Sequence, residues 1–562
     1  MKNFSTDVLV VGGGLAGCWA AHRASETGAK VLLADKGWIG ASGCSTFAGG
    51  DILWWTPQDN LTEWLNNYAR WGGYLFDPEW FVILCHDIHE RILEMERWGA
   101  PFEKDRGGNL LRKPGRGHHA AVVFPGVELM KFMRKKAAEA GAQLLDRIMI
   151  TDLVVDDGKL AGAVGFHIRD GEFCLIRAKA VVLAAGGCSW KGNYFGQDMV
   201  CGEAYALAYQ HGAELMNMEY SNNYNSTYRY FDIYGMSRFQ RLGGKFTNAL
   251  GERFMTKVDA EMADGAHLHT LALAMAKEVQ EGRGPVLFDL KDMAEDDRRL
   301  SRKLLPMLFD MFEDAGIDIF NEQLEWLPGF QGSVATGSGI RPIDHSCAST
   351  LEGLYAAGDA AAEGLVIGGI AGPGAINLSW AIITGYRAGE GAARFAKTKS
   401  LREPAESLIR DLRESTFRFL KWEGDGTTPQ DAYDLLQETV IGWDKSIVRH
   451  ESRLTAGLDK LERLKLEVMP ALKATDPHQL MRAHEVAATL VTTEMVLRSA
   501  LFRTESRAAH FREDYPEPDH THWLKWILLN KDEKGMRLST MDIPKDHYEK
   551  YCVQLPISNQ TQ

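Results

Sequence analysis

Three separated features of the 562-residue sequence predict its fold class. The first is an apolar run near the N-terminus that is followed by a glycine loop. The second is the region from residue 218 to about 335, which begins with many aromatic residues and continues with stretches of helical pattern. The third is the chain beyond about residue 400, which is charged and has a helical pattern. A strand, a glycine turn and a helix in that order are typical of a Rossmann-like parallel sheet. We therefore expect an α/β protein with a Rossmann-like nucleotide-binding domain, interrupted by an α+β capping domain and followed by a C-terminal helical domain.

The first strand and its glycine loop carry the most specific signal. The run Val-Leu-Val-Val is β-branched and aliphatic, as expected of a strand that is buried on both faces. The pattern Gly12-x-Gly14-x-x-Gly17 then permits a tight turn, a close approach to a pyrophosphate and a helix packed against the strand. The N-terminus of that helix offers N–H groups to phosphates. The next strand ends on Asp35, where an acid can accept hydrogen bonds from an adenosine ribose.

Two later segments complete the predicted nucleotide site. Residues 180–187 are predicted to form an apolar strand that ends in two glycines. Residues 353–359 are predicted to form a second apolar strand that ends in a glycine and an acid. Together with the first loop, these segments supply the adenine, linker and ribityl contacts of one bound FAD. The residues assigned to the cofactor on this basis are Gly12, Gly14, Leu15, Ala16, Gly17, Asp35, Lys36, Ser42, Gly49, Gly50, Ala185, Gly186, Gly358 and Asp359.

Composition and charge exclude several classes of function. The net charge of −13 argues against a nucleic-acid surface, which would be basic. The N-terminus has no cationic region followed by an apolar core, and no run approaches the ~20 apolar residues that span a bilayer. We therefore expect a cytoplasmic protein without a membrane span.

The eight cysteines are scattered along the chain without a C-x-x-C pair. This spacing favours reduced, mostly buried thiols and argues against an iron–sulfur cluster held by this chain, because clusters need grouped thiolates. His484 and Glu485 lie on a helix without a second ligand at metal-binding spacing, so we predict no metal site. Any electron relay would lie on another subunit.

The domain boundaries follow from the changes of character along the chain. Residues 1–230 and 336–397 are predicted to form a discontinuous FAD-binding domain, and residues 231–335 the capping and substrate domain. Residues 398–562 are predicted to form a C-terminal helical domain and tail. Residues 148–182 should alternate as a hairpin or meander. Motion of the cap would control access to the flavin.

With these segments assembled, the chain resembles the flavoprotein subunits of the fumarate reductase and succinate dehydrogenase superfamily. The resemblance covers most of the chain: the glycine loop, the interrupting cap, the stretch Leu-Tyr-Ala-Ala-Gly-Asp-Ala-Ala at 354–361 and the charged stretch at 503–516. It implies that the helix start formed by Asn377, Leu378 and Ser379 faces the flavin pyrimidine ring. The helix dipole there favours the anionic reduced flavin.

Within the superfamily, one branch is predicted to be nearer. Residues 229–235 and 245–252 are similar to the corresponding stretch of the adenylylsulfate reductase alpha subunit. That similarity implies that Arg229 lies beside the flavin and the substrate.

The sequence departs from the superfamily where other members bind flavin covalently or hold a dicarboxylate. Residues 40–50 contain no histidine, so we expect FAD to be non-covalent. Residues 368–377 lack both the histidine and the arginine of a His-Gly-x-Asn-Arg motif, and an apolar glycine-rich loop cannot neutralise a dicarboxylate. Residues 329–335 lack the histidine that adenylylsulfate reductases place before the final FAD strand. These departures indicate a different substrate on the same scaffold.

Four side chains are candidates for catalysis at the flavin. His119 follows a basic loop and can bind an anion or move a proton near neutral pH. The alternative is that the histidine in this stretch only caps a turn. Arg229 would supply a positive charge to the substrate, and Tyr224 or Tyr228 would supply a hydroxyl group. These residues lie in an aromatic stretch that suits either the wall of a pocket or a packed edge strand. Arg341 precedes the final FAD strand and either touches the flavin's pyrimidine edge or forms a surface salt bridge.

We therefore predict an FAD-dependent oxidoreductase that transfers a hydride between flavin N5 and a small polar organic substrate other than succinate or fumarate. One alternative is a catalytic flavoprotein subunit that acts on a sulfur compound beside a ferredoxin-like or iron–sulfur subunit. Others are a flavin oxidase or monooxygenase, and a flavin-binding scaffold without catalysis. The sequence leaves the substrate, the electron acceptor, the direction of reaction and the oligomeric state open, and a homo-oligomer is compatible with it.

Overall fold

A computed structural model describes residues 1–114, 119–192, 194–221, 224–235, 237–330, 332, 336–372, 374–421, 424 and 426–556. Its strands are β1 Lys2–Val11, β2 Val31–Asp35, β3 Asp51–Leu53, β4 Arg112–Pro114, β5 Ala120–Val123, β6 Gln143–Asp146, β7 Ile148–Asp156, β8 Lys159–His167, β9 Phe173–Leu183, β10 Leu215–Met216, β11 Tyr224–Tyr228, β12 Lys245–Thr247, β13 Val286–Asp289, β14 Leu324–Phe330, β15 Gly339–Ile340, β16 Leu354–Ala356, β17 Val448–Arg449, β18 Phe511–Arg512, β19 Lys525–Asp532 and β20 Gly535–Asp542. Its helices are α1 Leu15–Glu26, α2 Leu61–Trp71, α3 Pro78–Trp98, α4 Gly126–Glu139, α5 Glu203–Gln210, α6 Ser237–Arg241, α7 Met255–Val258, α8 Leu268–Gln280, α9 Glu295–Leu304, α10 Pro306–Asp314, α11 Gly364–Ile367, α12 Ile376–Lys397, α13 Glu406–Thr416, α14 Pro429–Val440, α15 Trp443–Ser446, α16 Glu451–Arg463, α17 Pro477–Phe502 and α18 Lys545–Lys550.

The main sheet has the strand order β6-β2-β1-β9-β8-β7, with β16 also paired to β9. Strands β6, β2, β1, β9 and β16 run parallel, whereas β7, β8 and β9 form an antiparallel meander, which confirms the pattern predicted for residues 148–182. Leu183 pairs with Val11 on one side and with Ala356 on the other. Because these parallel strands end at the same edge, the glycine loop after β1, the glycines after β9 and the acid after β16 meet there.

Helices α1 and α12 pack against each other through glycines on one face of the main sheet. A Cβ at Gly385 would lie 2.5 Å from the carbonyl oxygen of Ala16, and one at Gly389 would lie 2.3 Å from that of Ala20. Larger side chains would push the two helices apart. The start of α12 is thereby held close to the glycine loop that precedes α1.

The region predicted to form the cap has a sheet and an apolar core of its own. Its antiparallel strands have the order β11-β14-β13-β12. Phe246 and Phe288 face each other across paired strands, and Phe288 also packs on Trp326. Strand β11, which precedes the predicted boundary at residue 231, pairs with β14 in this sheet.

The C-terminal third contains the predicted helices and, in addition, a hairpin. Helix α17 spans 26 residues and is buried along most of its length. Strands β19 and β20 pair with each other, and β19 also pairs with β10, so that this hairpin joins a sheet built from distant segments. The α/β fold class with a C-terminal domain is confirmed. Among the described residues, every helix is too short or too polar to cross a bilayer.

Candidate functional site

The common edge of the parallel strands opens onto a long cavity. Its described lining comes from the glycine loop, the segment after β2, the exit of β9, helix α5 and the start of α12. The predicted cofactor residues in this lining are Gly12, Gly14, Leu15, Ala16, Asp35, Lys36, Ser42, Gly49, Ala185, Gly186, Gly358, Asp359, Asn377 and Leu378. Gly17, Gly50 and Ser379 are outside the lining, and the Ser379 hydroxyl donates to the carbonyl oxygen of Leu53 at 2.8 Å.

Close backbone contacts explain the glycines of the first loop. Gly12 has a φ of +108°, and a Cβ there would lie 2.3 Å from the carbonyl oxygen of Ala184. A Cβ at Gly17 would lie 1.8 Å from the carbonyl oxygen of Gly12. Helix α1 begins at Leu15 without a side-chain cap from Gly14. Its N-terminus therefore presents N–H groups and the positive end of the helix dipole to the cavity, as phosphate binding requires.

Two carboxyl groups in the lining follow strands of the main sheet. Asp35 accepts hydrogen bonds from the N–H groups of Gly13 and Gly37, each at 2.6 Å. Burial raises the pKa of Asp35, and these two donors act against that rise. Burial also raises the pKa of Asp359, to about 6. Buried carboxyl groups need hydrogen-bond partners, and the hydroxyl groups of a ribose or ribityl chain can supply further ones.

An unsatisfied amide in the lining tests whether the cavity fits a polar cofactor. Gln197 is 0% exposed, and within the described chain neither its amide oxygen nor its amide nitrogen has a hydrogen-bond partner. Leaving a buried polar group unsatisfied costs about 1–3 kcal/mol. FAD carries polar groups along its whole length, so these residues fit that cofactor.

The ammonium group of Lys36 belongs to a buried ionic network. Its Nζ bonds to Glu203 and lies 2.7 Å from an oxygen of Glu485, whose other oxygen accepts from Lys191 at 3.0 Å. Burial lowers the pKa of Lys36, but the charges of Glu203 and Glu485 outweigh it and hold this pKa well above its usual value. Lys36 and Glu203 line the cavity, whereas Glu485 lies on α17. The network therefore joins the C-terminal helix to the cavity wall.

The Cys201 thiol lies close enough to Glu203 and Glu485 for the three to hold a metal ion. The Lys36 ammonium bonds to both of these carboxylates, however, and supplies their positive partner. We therefore assign this cluster no metal.

Two arginines that the sequence analysis overlooked share one aspartate where the cap region meets the cavity. Arg238 and Arg241 lie on α6, and Asp51 lies on β3. Arg238 Nη2 lies 2.7 Å from one oxygen of Asp51, and Arg241 bonds to the other. Burial lowers the pKa of Arg238, while Asp51 acts in the opposite direction. Asp51 and Arg241 line the cavity, whereas Arg238 lies outside the described lining and bonds to Asp51. The only signal in the sequence was the three-residue spacing of the arginines.

A second overlooked carboxyl group lies behind the start of α12. Glu363 is 1% exposed, and its Oε2 accepts a hydrogen bond from Nδ2 of Asn377 at 2.7 Å. Burial raises the pKa of Glu363 well above its usual value, and the nearby Asp359 raises it further. Glu363 therefore holds the Asn377 side chain in the cavity wall.

The structure does not bring the two arginines predicted to be catalytic to the cavity lining. The Arg229 side chain is 53% exposed and pairs with Glu325, just beyond the β11–β14 ladder. Arg341 donates from Nε to Glu214 at 2.9 Å. Each arginine therefore pairs with an acid outside the described cavity lining, and its role in catalysis stays a prediction.

His119 and Tyr224 are also not placed in the lining. His119 is buried, and its ring stacks on that of Trp64 with the centroids 4.3 Å apart. Tyr68 and Trp71 also face His119, at centroid distances of 5.5 Å. His119 thus packs in an aromatic cluster outside the described cavity lining, and its role at the flavin stays a prediction. The Tyr224 backbone pairs with Phe330, and its side chain is outside the described part of the structure.

Comparison with known proteins identifies the family. Residues 7–374 match the model of an FAD binding domain, and residues 436–555 match that of the fumarate reductase flavoprotein C-terminus. One chain of the fumarate reductase (CoM/CoB) of Methanothermobacter marburgensis is 30% identical over 557 residues, which cover 94% of this chain and 97% of that protein.

Two solved structures show that the fold extends along almost the whole chain. A point variant of the FrdA chain of E. coli quinol fumarate reductase has a TM-score of 0.86 at 23% identity, covering 97% of each chain. Adenylylsulfate reductase from Archaeoglobus fulgidus has a TM-score of 0.81 at 21% identity, covering 96% of each chain. At these identities the two structures establish a common fold. With the family matches, they show that this chain is an FAD-dependent oxidoreductase of the fumarate reductase and succinate dehydrogenase flavoprotein family.

Proposed function

We propose that this enzyme exchanges a hydride between bound FAD and a small polar organic substrate other than succinate or fumarate. When bound, FAD accepts or donates that hydride at N5. The observation that carries the proposal is the position of Arg238 and Arg241. Both are bonded to Asp51 at the cap side of the cavity, and Arg241 lies in the wall itself.

The loop between α11 and α12 supports the exclusion of dicarboxylates. Its sequence from residue 368 to 375 is Gly-Gly-Ile-Ala-Gly-Pro-Gly-Ala, without a cation. Two carboxylates taken out of water each need a charged or strongly donating partner. Arg241 can bind one anionic group from the cap side, and the loop offers no cation for a second.

The relative from Methanothermobacter marburgensis is named a fumarate reductase, so fumarate is the compound that the experiment must exclude. The FAD-loaded protein is mixed without oxygen with a panel of hydroxy acids, amino acids, amines, thiols and succinate. In the reverse direction, the reduced protein is mixed with fumarate. We expect a compound other than succinate to bleach the flavin and fumarate to leave the reduced flavin unchanged. Oxidation by fumarate as fast as the best reaction in the panel would overturn the proposal.

Arg241 provides a second test of the same proposal. Arg241→Gln should lower kcat/KM for the active compound by about 10²–10³, the usual effect of removing one preorganised donor. The flavin absorption spectrum should stay unchanged. Arg299→Gln is the matched control, because Arg299 lies on α9 and is 66% exposed. Equal kcat/KM values in the two variants would remove Arg241 from the substrate site.

We also propose that FAD is held without a covalent bond. The described cavity lining includes no histidine, and its Cys44 is a thiol whose pKa is raised by burial. A protonated thiol is a poor nucleophile. Acid precipitation should therefore release yellow flavin into the supernatant, whereas colour that stays with the pellet would contradict this assignment.

An iron–sulfur partner is the second candidate, and the cysteines favour it. All eight are free and seven of them are buried or half-buried; Cys188 and Cys201 pair in a β-bridge, but two thiols do not make the four-cysteine set that a cluster needs. Electrons therefore need a carrier outside the chain, as they would in a flavoprotein subunit that acts on a sulfur compound. The name adenylylsulfate reductase supports sulfur chemistry for the solved structure that shares this fold.

Fast oxidation of the reduced flavin by a ferredoxin and slow oxidation by air would support the partner. Fast oxidation by air alone would favour an oxidase.

A further inference from the structure

A second cavity, of about 250 Å³, lies beside the cofactor site. It is enclosed by α8, by the segment 506–511 and by Ala371. Consecutive residues separate the two cavities: Leu268 lines the FAD cavity and His269 the second one. In the same way, Gly372 lines the FAD cavity and Ala371 the second. The wall between the two cavities is therefore one residue thick on both sides.

Leu268 and Gly372 contact each other inside this wall. A Cβ at Gly372 would lie only 2.1 Å from Cδ1 of Leu268, so the leucine side chain lies directly on the glycine backbone. The N–H of Ala371 faces Nδ1 of His269 at 3.4 Å. The wall thus includes one apolar contact and one long hydrogen bond. A small outward movement of α8 with the cap would open it.

The described lining of the second cavity includes Arg507, which pairs with Glu505, and no carboxylate. Four buried arginines and three carboxylates surround the segment 506–511; they are Arg449, Arg503, Arg507, Arg512, Glu219, Glu505 and Asp514. Burial, and then the charges of Arg449 and Arg503, hold the pKa of His510 well below its usual value. Neutral His510 accepts from Arg449 and donates from Nε2 to the carbonyl oxygen of Arg503 at 3.2 Å.

The exposed side of the second cavity adds a further cation beside an apolar surface. Lys277 is exposed on α8, and its ammonium lies 5.7 Å from the ring centroid of Phe511, which lines the cavity. Leu273 and Ile447 line it as well. Positive charge attracts an anion from solution, and the apolar side chains accommodate a short hydrocarbon.

We propose that this cavity is the antechamber through which a small organic anion with a short apolar body reaches the flavin, admitted when Leu268 moves away from Gly372. The inference rests on the proposed function and narrows it, because it makes the substrate an anion and gives its path. Arg241 then receives the anionic group on the flavin side of the wall.

Sulfite is the kinetic probe for this path. It is a small anion that bleaches oxidised flavin by donating its sulfur lone pair to N5, so that an S–N bond forms without a leaving group or a second reductant. Leu273→Trp should fill the antechamber and slow anaerobic bleaching at least tenfold, while Leu268→Ala should accelerate it severalfold. Val279→Trp is the matched control, because Val279 lies on the same helix, is 46% exposed and does not line the cavity.

Two outcomes of the sulfite experiment would overturn the inference. One is equal bleaching rates in Leu273→Trp and Val279→Trp, and the other is a wild-type flavin that sulfite never bleaches. The visible spectrum and the Tm of each variant show whether FAD and the fold are retained. The proposed function has a separate test. It fails if no compound in the substrate panel exchanges electrons with the flavin, and the antechamber can still be supported in that case if the bleaching rates with sulfite change in the antechamber variants as expected.

A crystallographic measurement tests the charge of the antechamber without any turnover. Crystals of the FAD-loaded protein soaked in sodium bromide should show an anomalous peak in the cavity beside Arg507 and His510. An empty cavity would overturn the anion assignment. In solution, Lys277→Gln should slow sulfite bleaching about two- to threefold at low salt and have less effect at high salt, because screening weakens exposed charges. Lys135→Gln, at a lysine that is 72% exposed on α4, should have no effect.

Discussion

Gly17 shows how a single methyl group can decide whether the cofactor loop forms. Its Cβ would lie 1.8 Å from the carbonyl oxygen of Gly12, so Gly17→Ala must displace α1 from the loop. We expect about tenfold or greater loss of FAD affinity in a fluorescence titration of the flavin-free protein, since overpacking costs typically 1–3 kcal/mol. Gly265→Ala is the control, because a Cβ there meets no atom within 4 Å. Unchanged FAD affinity in Gly17→Ala would contradict the geometry.

Asp359 makes the stability of the flavin-free protein depend on pH. Burial raises its pKa from 3.8 to about 6, so the folded state binds the proton more tightly than the unfolded state does. The stabilising effect of the proton is complete below pH 3.8 and is lost as the pH rises through about 6, which amounts to roughly 3 kcal/mol. Asp359→Asn should therefore unfold at a higher Tm than the wild type at pH 7.5 and at a similar Tm at pH 4.

The matched control for Asp359→Asn is Asp411→Asn, at a residue that is 72% exposed. It should follow the wild-type Tm across the whole pH range. If the Tm difference between Asp359→Asn and the wild type stayed constant from pH 4 to 7.5, the titration assigned to Asp359 would be wrong.

At the scale of single elements, the short helix α18 is attached to the start of α3 by a histidine. Nδ1 of His547 lies 2.7 Å from Asp77, and Nε2 lies 3.2 Å from Glu79. Burial lowers the pKa of His547, but the hydrogen bond to Asp77 and the charges of Asp77 and Glu79 outweigh it, so the pKa is raised. The attachment is therefore complete below pH 6.5 and weakens as the pH rises through the folded-state pKa of His547.

Hydrogen exchange across residues 545–551 measures this attachment. Protection factors, corrected for intrinsic exchange, should fall above pH 6.5 in the wild type and show little dependence on pH in His547→Gln. Tyr548 still donates to the carbonyl oxygens of Tyr74 and Phe76, at 2.7 and 2.8 Å, so the helix should remain docked in part. His522→Gln is the control, at a histidine that is 76% exposed. A pH profile in His547→Gln like that of the wild type would refute the assignment.

At the scale of the whole molecule, helix α17 supports the wall of a cofactor cavity whose described lining comes mainly from the N-terminal half of the chain. The side chain of Glu485 is 1% exposed and forms ion pairs with both Lys36 and Lys191. Breaking a buried ion pair by removing one partner costs about 3–5 kcal/mol. Glu485→Gln should therefore lower the Tm by several degrees and weaken FAD binding, because the freed Lys36 lies in the cavity wall.

Glu438→Gln provides the comparison for Glu485→Gln. Glu438 also pairs with a lysine, Lys460, but its side chain is 62% exposed. Exposed pairs contribute about 0–1 kcal/mol, so the Tm and the FAD affinity should stay close to those of the wild type. Equal effects of the two variants would show that the Glu485 network does not couple α17 to the site.

The sequence predicted most of the cofactor wall because the chemistry there is local. Each segment is an apolar strand followed at once by glycine or an acid, as at Gly12, Asp35 and Asp359. Parallel strands that end at one edge must bring these residues together. The sequence did not show that Arg229 would pair with Glu325 or Arg341 with Glu214, because a position near the end of a strand does not reveal to which side a charged side chain turns. The β19–β20 hairpin escaped prediction, since its partner strand β10 lies more than 300 residues earlier.

From the sequence alone came the α/β fold class, the FAD site and the family, because strand burial, glycine turns and the acids after strands are written in neighbouring residues. Only the tertiary structure brought Asp51 to Arg238 across 187 residues, Lys36 to Glu485 across 449, and α8 against the loop at Gly372. Pairing of buried charges and contact between cavity walls depend on how distant elements pack. No local pattern records which of many acids a buried arginine will reach, because that depends on which elements pack together.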